Sequence, residues 1–504
     1  MKAMATVAGL TGLSRIFGFI RDILTAAILG AGPIADAFIV ALKLPNLFRR
    51  ITAEGAFSVA FVPLYSEKLE KNGTEAADSF ASNTFMVMLS ILTGFVIIAL
   101  WVMPWIIYAI APGFTGDELR FDLAVNLSRI TFPYLLLISL TALLGGVLNA
   151  KDKFAPFAAA PVLFNLCLIG ALLTAGHFET AGHAMAYGIL LAGILQLLYL
   201  YVSAREQGVK IKIATPRIDI NIKKTFKLMG PGVIGAGVMH INLFADLIIA
   251  SFLKTGSISY LYYADRLNQF PLGMVGIAVG TALLPMLSRA MTKDDLGEAK
   301  DLFNRALEMC LLLALPAAIA LAIIPTQLIS TLFERGAFTA TDTATTATVL
   351  MAYALGLPAY IAIKVFSTAH WARQDTVTPV KISIIATLIN IALSLILIQF
   401  IGVAGIALGT GLTGWLQFAM HTRALKTHPA ASFDKKFKQN LPKIIASTTI
   451  MAATLYALTH ITPSGIIGLT ILVPAGLLTY TACILLTGTI KTSDIKKYLS
   501  KGTS

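Results

Sequence analysis

The chain has 504 residues, of which 57% are hydrophobic and only 13% charged, and its mean hydropathy is +0.78. A soluble protein of this size carries about 25% charged residues, so a soluble enzyme is excluded and an integral membrane protein remains. The formal net charge of +13 is mostly loop charge suited to anionic headgroups, and nothing in it calls for nucleic acid.

Apolar runs of the length needed to cross hydrocarbon as a helix recur along the whole chain. Fourteen are expected, at 6–30, 34–50, 82–108, 122–148, 156–176, 182–203, 228–253, 264–288, 304–326, 344–368, 378–400, 403–423, 441–461 and 465–488. The N-terminal stretch carries Arg15, Arg21 and Asp22 and lacks a small-residue cleavage site, so it reads as a retained span and not a cleaved signal. Arg15 and Asp22 share a face of span 1, and Asp36, Lys43 and Arg50 form a stripe along span 2. Arg49 lies beside that stripe, Pro45 interrupts the helix, and Glu54 and Gly55 follow it. Cations at the bilayer centre cost roughly 2.5–3.5 kcal/mol on insertion scales, so they persist facing a cavity, a partner or the interface. Arg129, Arg266 and Lys364 complete the eight cations read as intramembrane; Arg305, Lys381, Arg423 and Lys443, at span ends, are counted with the loops. Their concentration in the first 50 residues points to a wet cationic chamber with an anion as its occupant. The competing readings are snorkelling for Arg49 and Arg50, and an ion pair with Asp36 for Lys43.

Further along, Asp246 sits in the middle of span 7, and Tyr262-Tyr-Ala-Asp265-Arg266 opens span 8. A lone carboxylate in a span must be protonated, paired or bound to a cation. Asp246 with Asp375, which follows span 10, is therefore a candidate Na⁺ or H⁺ coupling site. No other cofactor is expected. Cys167, Cys310 and Cys483 are scattered in apolar spans without CxxC spacing and read as small buried hydrophobes.

Of the 31 cations outside the spans, 28 fall at the N-terminus, in even-numbered loops or in the C-terminal tail; three, Arg120, Lys254 and Arg335, fall in odd-numbered loops. The positive-inside rule then places both termini in the cytoplasm. An internal repeat appears at an offset of about 225. Asn149-Ala-Lys-Asp152-Lys-Phe-Ala-Pro156 matches Ala372-Arg-Gln-Asp375-Thr-Val-Thr-Pro379, and Ala60-Phe-Val-Pro63 matches Ala282-Leu-Leu-Pro285. Six spans per half preserve orientation, so the halves are expected to be parallel repeats with the substrate site between them. The resulting division is 1–215, 216–428, and 429–504 with spans 13 and 14 and a basic tail. No G-x-x-x-x-G-K-[ST] loop and no H-E-x-x-H is present, which argues against ATP hydrolysis or metalloprotease chemistry in this chain.

The signature Ser14-Arg15-Ile-Phe-Gly-Phe-Ile-Arg21-Asp22, Ala35-Asp36-Ala-Phe38, Lys43-Leu-Pro-Asn46-Leu-Phe-Arg49-Arg50 and Ala53-Glu54-Gly55-Ala-Phe57 resembles the MurJ (MviN) lipid II flippases. Tyr262-Tyr-Ala-Asp265-Arg266 and Arg373-Gln-Asp375-Thr-Val-Thr-Pro379 continue the match. The resemblance implies an all-α polytopic fold of the multidrug/oligosaccharidyl-lipid/polysaccharide exporter type, with two six-helix lobes in a V and two extra C-terminal helices. It implies that Arg15, Arg21, Arg49 and Arg266 contact a lipid-linked diphosphate, and that Asp22, Asp36, Lys43, Arg50, Glu54 and Asp265 line a cavity or its gates. The family's Na⁺ site maps its acids onto Asp246 and Asp375, while Trp371, Thr387 and Ile391 stand where other ligands align. Spans 13 and 14 correspond to a groove for the lipid tail. The expected activity is transport of undecaprenyl-diphosphate-linked peptidoglycan precursor across the bacterial inner membrane, with cell-wall synthesis or division proteins as partners. Rivals are an O-antigen-type flippase or a cation-coupled exporter of the same fold, a membrane enzyme acting on the precursor, and a scaffold for cell-wall enzymes.

Overall fold

The computed structural model describes residues 2–49, 57–278, 283–292, 295–426 and 428–489, with side chains left out of the description at 2–4, 58–59, 231–241, 274–278 and 292. Among the described residues the regular structure is helical. In the first part of the chain run α1 (Lys2–Leu29), α2 (Pro33–Arg49), α3 (Ser58–Trp101), α4 (Met103–Ile110), α5 (Glu118–Thr131), α6 (Tyr134–Ala150), α7 (Ala155–Leu173) and α8 (Ala181–Glu206). There follow α9 (Ile220–Ser251), α10 (Ser257–Ala278), α11 (Leu284–Thr292), α12 (Leu296–Ile323), α13 (Pro325–Phe333), α14 (Ala340–Ala372), α15 (Val377–Ile401), α16 (Ala404–Leu425), α17 (Lys435–Thr459) and α18 (Ile466–Leu486). Among the described residues the fourteen expected spans are mainly helical, but four run across two helices: the third (α3 and α4), the fourth (α5 and α6), the eighth (α10 and α11, with 279–282 outside the described residues) and the ninth (α12 and α13). At the fourth, Pro133 follows Phe132 at the junction and cannot donate to the helical ladder. α3 extends well before its expected span, broken at Gly73 where φ is 81°.

Nine described segments are long and apolar enough to cross a membrane by composition alone: within α3, α5–α6, α7, α8, α12, α14, α15, α17 and α18. Among the helices of 17 residues or more, α1, α2, α9, α10 and α16 fall outside that set, α2 because it has only 17 residues. Arg15, Arg21, Arg49 and Arg266 lie on α1, α2 and α10.

The repeat is written into the backbone. Asp117 caps the start of α5, accepting from the Arg120 N–H, and Thr339 caps α14, 222 residues later, accepting from the Asp342 N–H. After α6 the Lys153 N–H returns to the Leu148 carbonyl; after α14 the Asp375 N–H returns to His370, again 222 residues on. The left-handed residues of these two turns are Asp152 (φ 59°) and Gln374 (φ 60°). The backbone register therefore pairs Asp152 with Gln374 and Lys153 with Asp375, one residue off the side-chain match of Asp with Asp and Pro with Pro. The C-terminal turn sets the register because it satisfies the last helical carbonyls whatever side chain it carries.

Two compact units result: Met1–Ser259 with Arg335–Phe338, and Tyr260–Glu334 with Thr339–Ser504. The first has a core of Phe57, Phe61, Tyr65, Phe80, Leu143, Leu144 and Leu200 from α3, α6 and α8, extended by Ile222 of α9. In the second, Phe303, Leu307, Leu357, Ile361 and Phe366 join α12 to α14. α17 and α18 pack on α12 through Leu312, Ile444, Leu455 and Leu472. Polar clamps lock that attachment. The Arg305 guanidinium reaches Glu308 and, at 2.5 Å, Asp434, while Asn440 donates to Glu308 at 2.5 Å.

Candidate functional site: buried cations of the first unit and their partners

On α1, Arg15 is exposed and Arg21 is buried. The Arg21 guanidinium is 9% exposed; its Nη2 lies 2.7 Å from Asp22 Oδ1, and its Nη1 donates to Asn165 Oδ1 of α7 at 2.9 Å. Asn165 Nδ2 in turn donates to the Ser14 carbonyl at 2.9 Å. One amide thus ties two turns of α1 to α7 and fixes the plane of the Arg21 fork. That matters because a planar guanidinium suits bidentate recognition of phosphate oxygens only when its orientation is set. Asn165 is not among the site residues expected from the sequence. An Asn in an apolar span was the available signal, but its partner lies 144 residues away in the chain.

Asp36 is fully buried near the start of α2. Its carboxylate accepts from the Gly256 N–H (2.7 Å), the Ser259 N–H (2.9 Å) and the Ser259 hydroxyl (2.7 Å), the donors that open α10. A carboxylate at a helix N-terminus satisfies orphan N–H groups and meets the positive end of the dipole. Its cation partner is Arg120, 3.8 Å away, and not Lys43 of its own helix. Arg120 is also held by Asp117 at 2.8 Å and lies over the Phe114 ring at 4.7 Å. Arg120 had been counted only as a loop charge; here it is 7% exposed.

Beside this network two turns dock on helix ends, related by the repeat. The Gly113 N–H donates to Ser251 Oγ at 3.0 Å, at the end of α9. The Ala337 N–H donates to the Ala27 carbonyl at 2.8 Å, near the end of α1. Both turns need glycine: a Cβ on Gly113 would stand 2.3 Å from the Ser251 carbonyl oxygen, and one on Gly336 would stand 2.2 Å from that of Ala27. Gly336 also has φ +61°, in the left-handed region that side chains disfavour.

Lys43 and Arg49 are half-buried on α2, and Arg49 Nε donates to Asn46 Oδ1 at 3.2 Å. Arg50 and Glu54 lie outside the described residues. In the second unit, Arg266 lies over the Tyr262 ring at 4.5 Å, one turn away on α10, and Gln269 donates to Asp265. Asp246 is half-buried on α9. Asp375 is taken up locally: Oδ1 accepts from the Thr378 N–H and Oδ2 pairs with His370 Nδ1, both at 3.0 Å. Partial burial pushes the Asp375 carboxyl up, but the bonds from Thr378 and His370 outweigh it and hold the group down at about 2. Among the described residues no group of three or more His, Cys, Asp or Glu could hold a metal ion.

The profile of the family described as lipid II flippase MurJ matches residues 25–475. A probable lipid II flippase MurJ of Rhizobium tropici is 40% identical over 465 residues, 91% of this chain and 87% of that protein. The lipid II flippase MurJ of Burkholderia cenocepacia is 37% identical over 421 residues, 82% of this chain and 81% of its own. A solved lipid II flippase MurJ in an inward closed conformation superimposes with a TM-score of 0.81 at 30% identity, covering 95% of this chain and 97% of that one. An inward-facing multidrug-resistance MATE transporter of the MOP superfamily aligns with a TM-score of 0.68 at 13% identity, over 85% of this chain and 98% of its own, a likeness of fold alone. By profile, sequence and fold together, this multi-pass chain belongs to the MurJ family of lipid II flippases.

Proposed function

We propose that the chain moves lipid II, the undecaprenyl-diphosphate-linked peptidoglycan precursor, from the cytoplasmic to the periplasmic face of the inner membrane. The observation that carries the reading is the buried Arg21, oriented by Asp22 and Asn165 within a helix that otherwise suits hydrocarbon. Burying an unpaired charge in hydrocarbon costs far more than thermal energy, so diphosphate and sugars need a substitute for water. Arg15, Arg21, Arg49 and Arg266 would supply it in a cationic cavity while the prenyl tail stays in lipid. Both termini would be cytoplasmic, and the six-helix lobes at 1–215 and 216–428 would be the moving bodies of alternating access. Opening toward the periplasm would then part the Asp36 cap on α10 and the two glycine-dependent turns, which supports a gating role for them. A membrane potential negative inside favours outward movement of negative charge by about 2.3 kcal/mol per charge per 100 mV. No bond is made or broken.

The test is lipid II exposed on the outer face after depletion of the protein, read by a periplasmic enzyme that degrades only exposed lipid II. Exposed lipid II should collapse while total lipid II rises, and Arg21→Ala at equal abundance should not restore it. Unchanged exposure on depletion, or full rescue by Arg21→Ala, would defeat the reading.

A further inference from the structure

A groove in the first unit lies apart from these residues. It has a volume of about 180 Å³ and is walled by Val87, Met88 and Ile91 of α3 and Ile222, Phe226 and Met229 of α9. The two sets are stripes at helical spacing that face one slot. Ile91 and Phe226 remain 49% and 41% exposed, so the slot is open, at the end of α9 that precedes its expected span at 228–253.

Two turns of α3 from Val87 toward Gly73, the same stripe continues to Phe80, which stacks on Phe61 at 5.4 Å, and Phe61 on Phe57 at 5.0 Å. The Lys68 ammonium sits over the Phe80 ring at 5.5 Å. Beside it Lys71 pairs with Glu67 at 2.9 Å. The bond and charge of Lys71 hold the Glu67 carboxyl below its usual range, and the charges of Lys224 and Lys68 add to that. Three ammonium groups thus face two carboxylates, Glu67 and Glu70, leaving a net positive charge at the end of an apolar slot.

We propose that this groove binds an anionic phospholipid, with one acyl chain between α3 and α9 and its phosphate at Lys68 and Lys224. The apolar stripe matches the chain, and the uncompensated lysines match the headgroup, each worth about fivefold in affinity for an anionic lipid surface. The site is separate from the arginines of the transport reading, although its two walls, α3 and α9, fall on the two lobes which that reading moves; lipid retention is read without transport, so the two readings fail separately.

The experiment uses the full-length protein, purified in detergent and offered equal amounts of phosphatidylglycerol and phosphatidylethanolamine with the same acyl chains, with retained lipid read by native mass spectrometry. The wild type should retain phosphatidylglycerol preferentially. Filling the groove from α3 with Met88→Trp should abolish retention, and so should filling it from α9 with Thr225→Phe, which guards against misfolding of either variant. Lys68→Gln with Lys224→Gln should keep lipid in the groove but erase the preference. Equal retention of the two lipids by the wild type would overturn the proposal, as would undiminished phosphatidylglycerol on both filled variants. Displacement of phosphatidylglycerol by equimolar undecaprenyl phosphate would reassign the groove to a prenyl tail and overturn it as well.

Discussion

Asn165 offers the sharpest test of how the buried arginine works. Asn165→Leu keeps the branched shape and removes three bonds: one to the Arg21 guanidinium at 2.9 Å, one to the Ser14 carbonyl at 2.9 Å and a longer one to the Ser14 hydroxyl at 3.3 Å. The Ser14 carbonyl lies inside α1 and keeps its helical partner, so its loss is small. The bond to a charged donor is the larger, about 1.5–3 kcal/mol. Arg21 keeps Asp22, but its plane is no longer set from α7. If transport needs that plane, lipid II exposure should fall by roughly 10- to 100-fold at equal protein abundance, since about 1.4 kcal/mol is a factor of ten. Asn165→Asp separates holding from charge. It restores the acceptor but places a second carboxylate on Arg21, so a purely structural role predicts rescue, whereas a role for the cation predicts loss of transport with an unchanged thermal midpoint. Normal lipid II exposure with Asn165→Leu would refute the reasoning outright.

Three further outcomes follow from the geometry. Gly336→Ala puts a Cβ 2.2 Å from the Ala27 carbonyl oxygen at φ +61°, which costs about 1–2 kcal/mol for the backbone alone. An Ala27→Cys reporter should then react with a membrane-impermeant thiol reagent at least about tenfold faster than in the glycine background, and an equal rate would show that the turn does not close that end. Arg305→Ala strands Glu308, which is 9% exposed and bonded to Asn440; breaking a pair of this kind costs about 3 kcal/mol, read as a lower thermal midpoint, while Glu308→Gln in the same chain should recover part of it. For Asp375, the folded pKa of about 2 lies below the model-compound value of 3.8, so its contribution is present above 3.8 and lost as pH falls through 2. The stability difference between wild type and Asp375→Asn should be constant above about pH 5 and close below about pH 4; a difference that grows on acidification would reverse the assignment.

The amino-acid sequence alone was enough to place the apolar runs on helices among the described residues, because hydropathy over twenty residues reports the solvent a helix must face and needs no knowledge of its neighbours. It was also enough to single out Arg21, Asp22 and Asp36, since charge inside an apolar run is costly wherever the run ends up. It could not say what those charges touch. Asn165 meets Arg21 across 144 residues, and Asp36 meets Gly256 and Ser259 across 220 and 223; neither pairing leaves a periodicity. Arg120 looked like a loop charge because its burial comes from Asp36, Asp117 and Phe114, all outside its own helix. In the repeat, the Ala60–Pro63 match stands at the backbone offset of 222 but the Asp152–Pro156 match stands one residue off it, because matching side chains is a weaker guide than the backbone turn that closes a helix. Composition decides which medium each segment occupies; only the packed chain decides which polar atoms, far apart in sequence, end up satisfying one another.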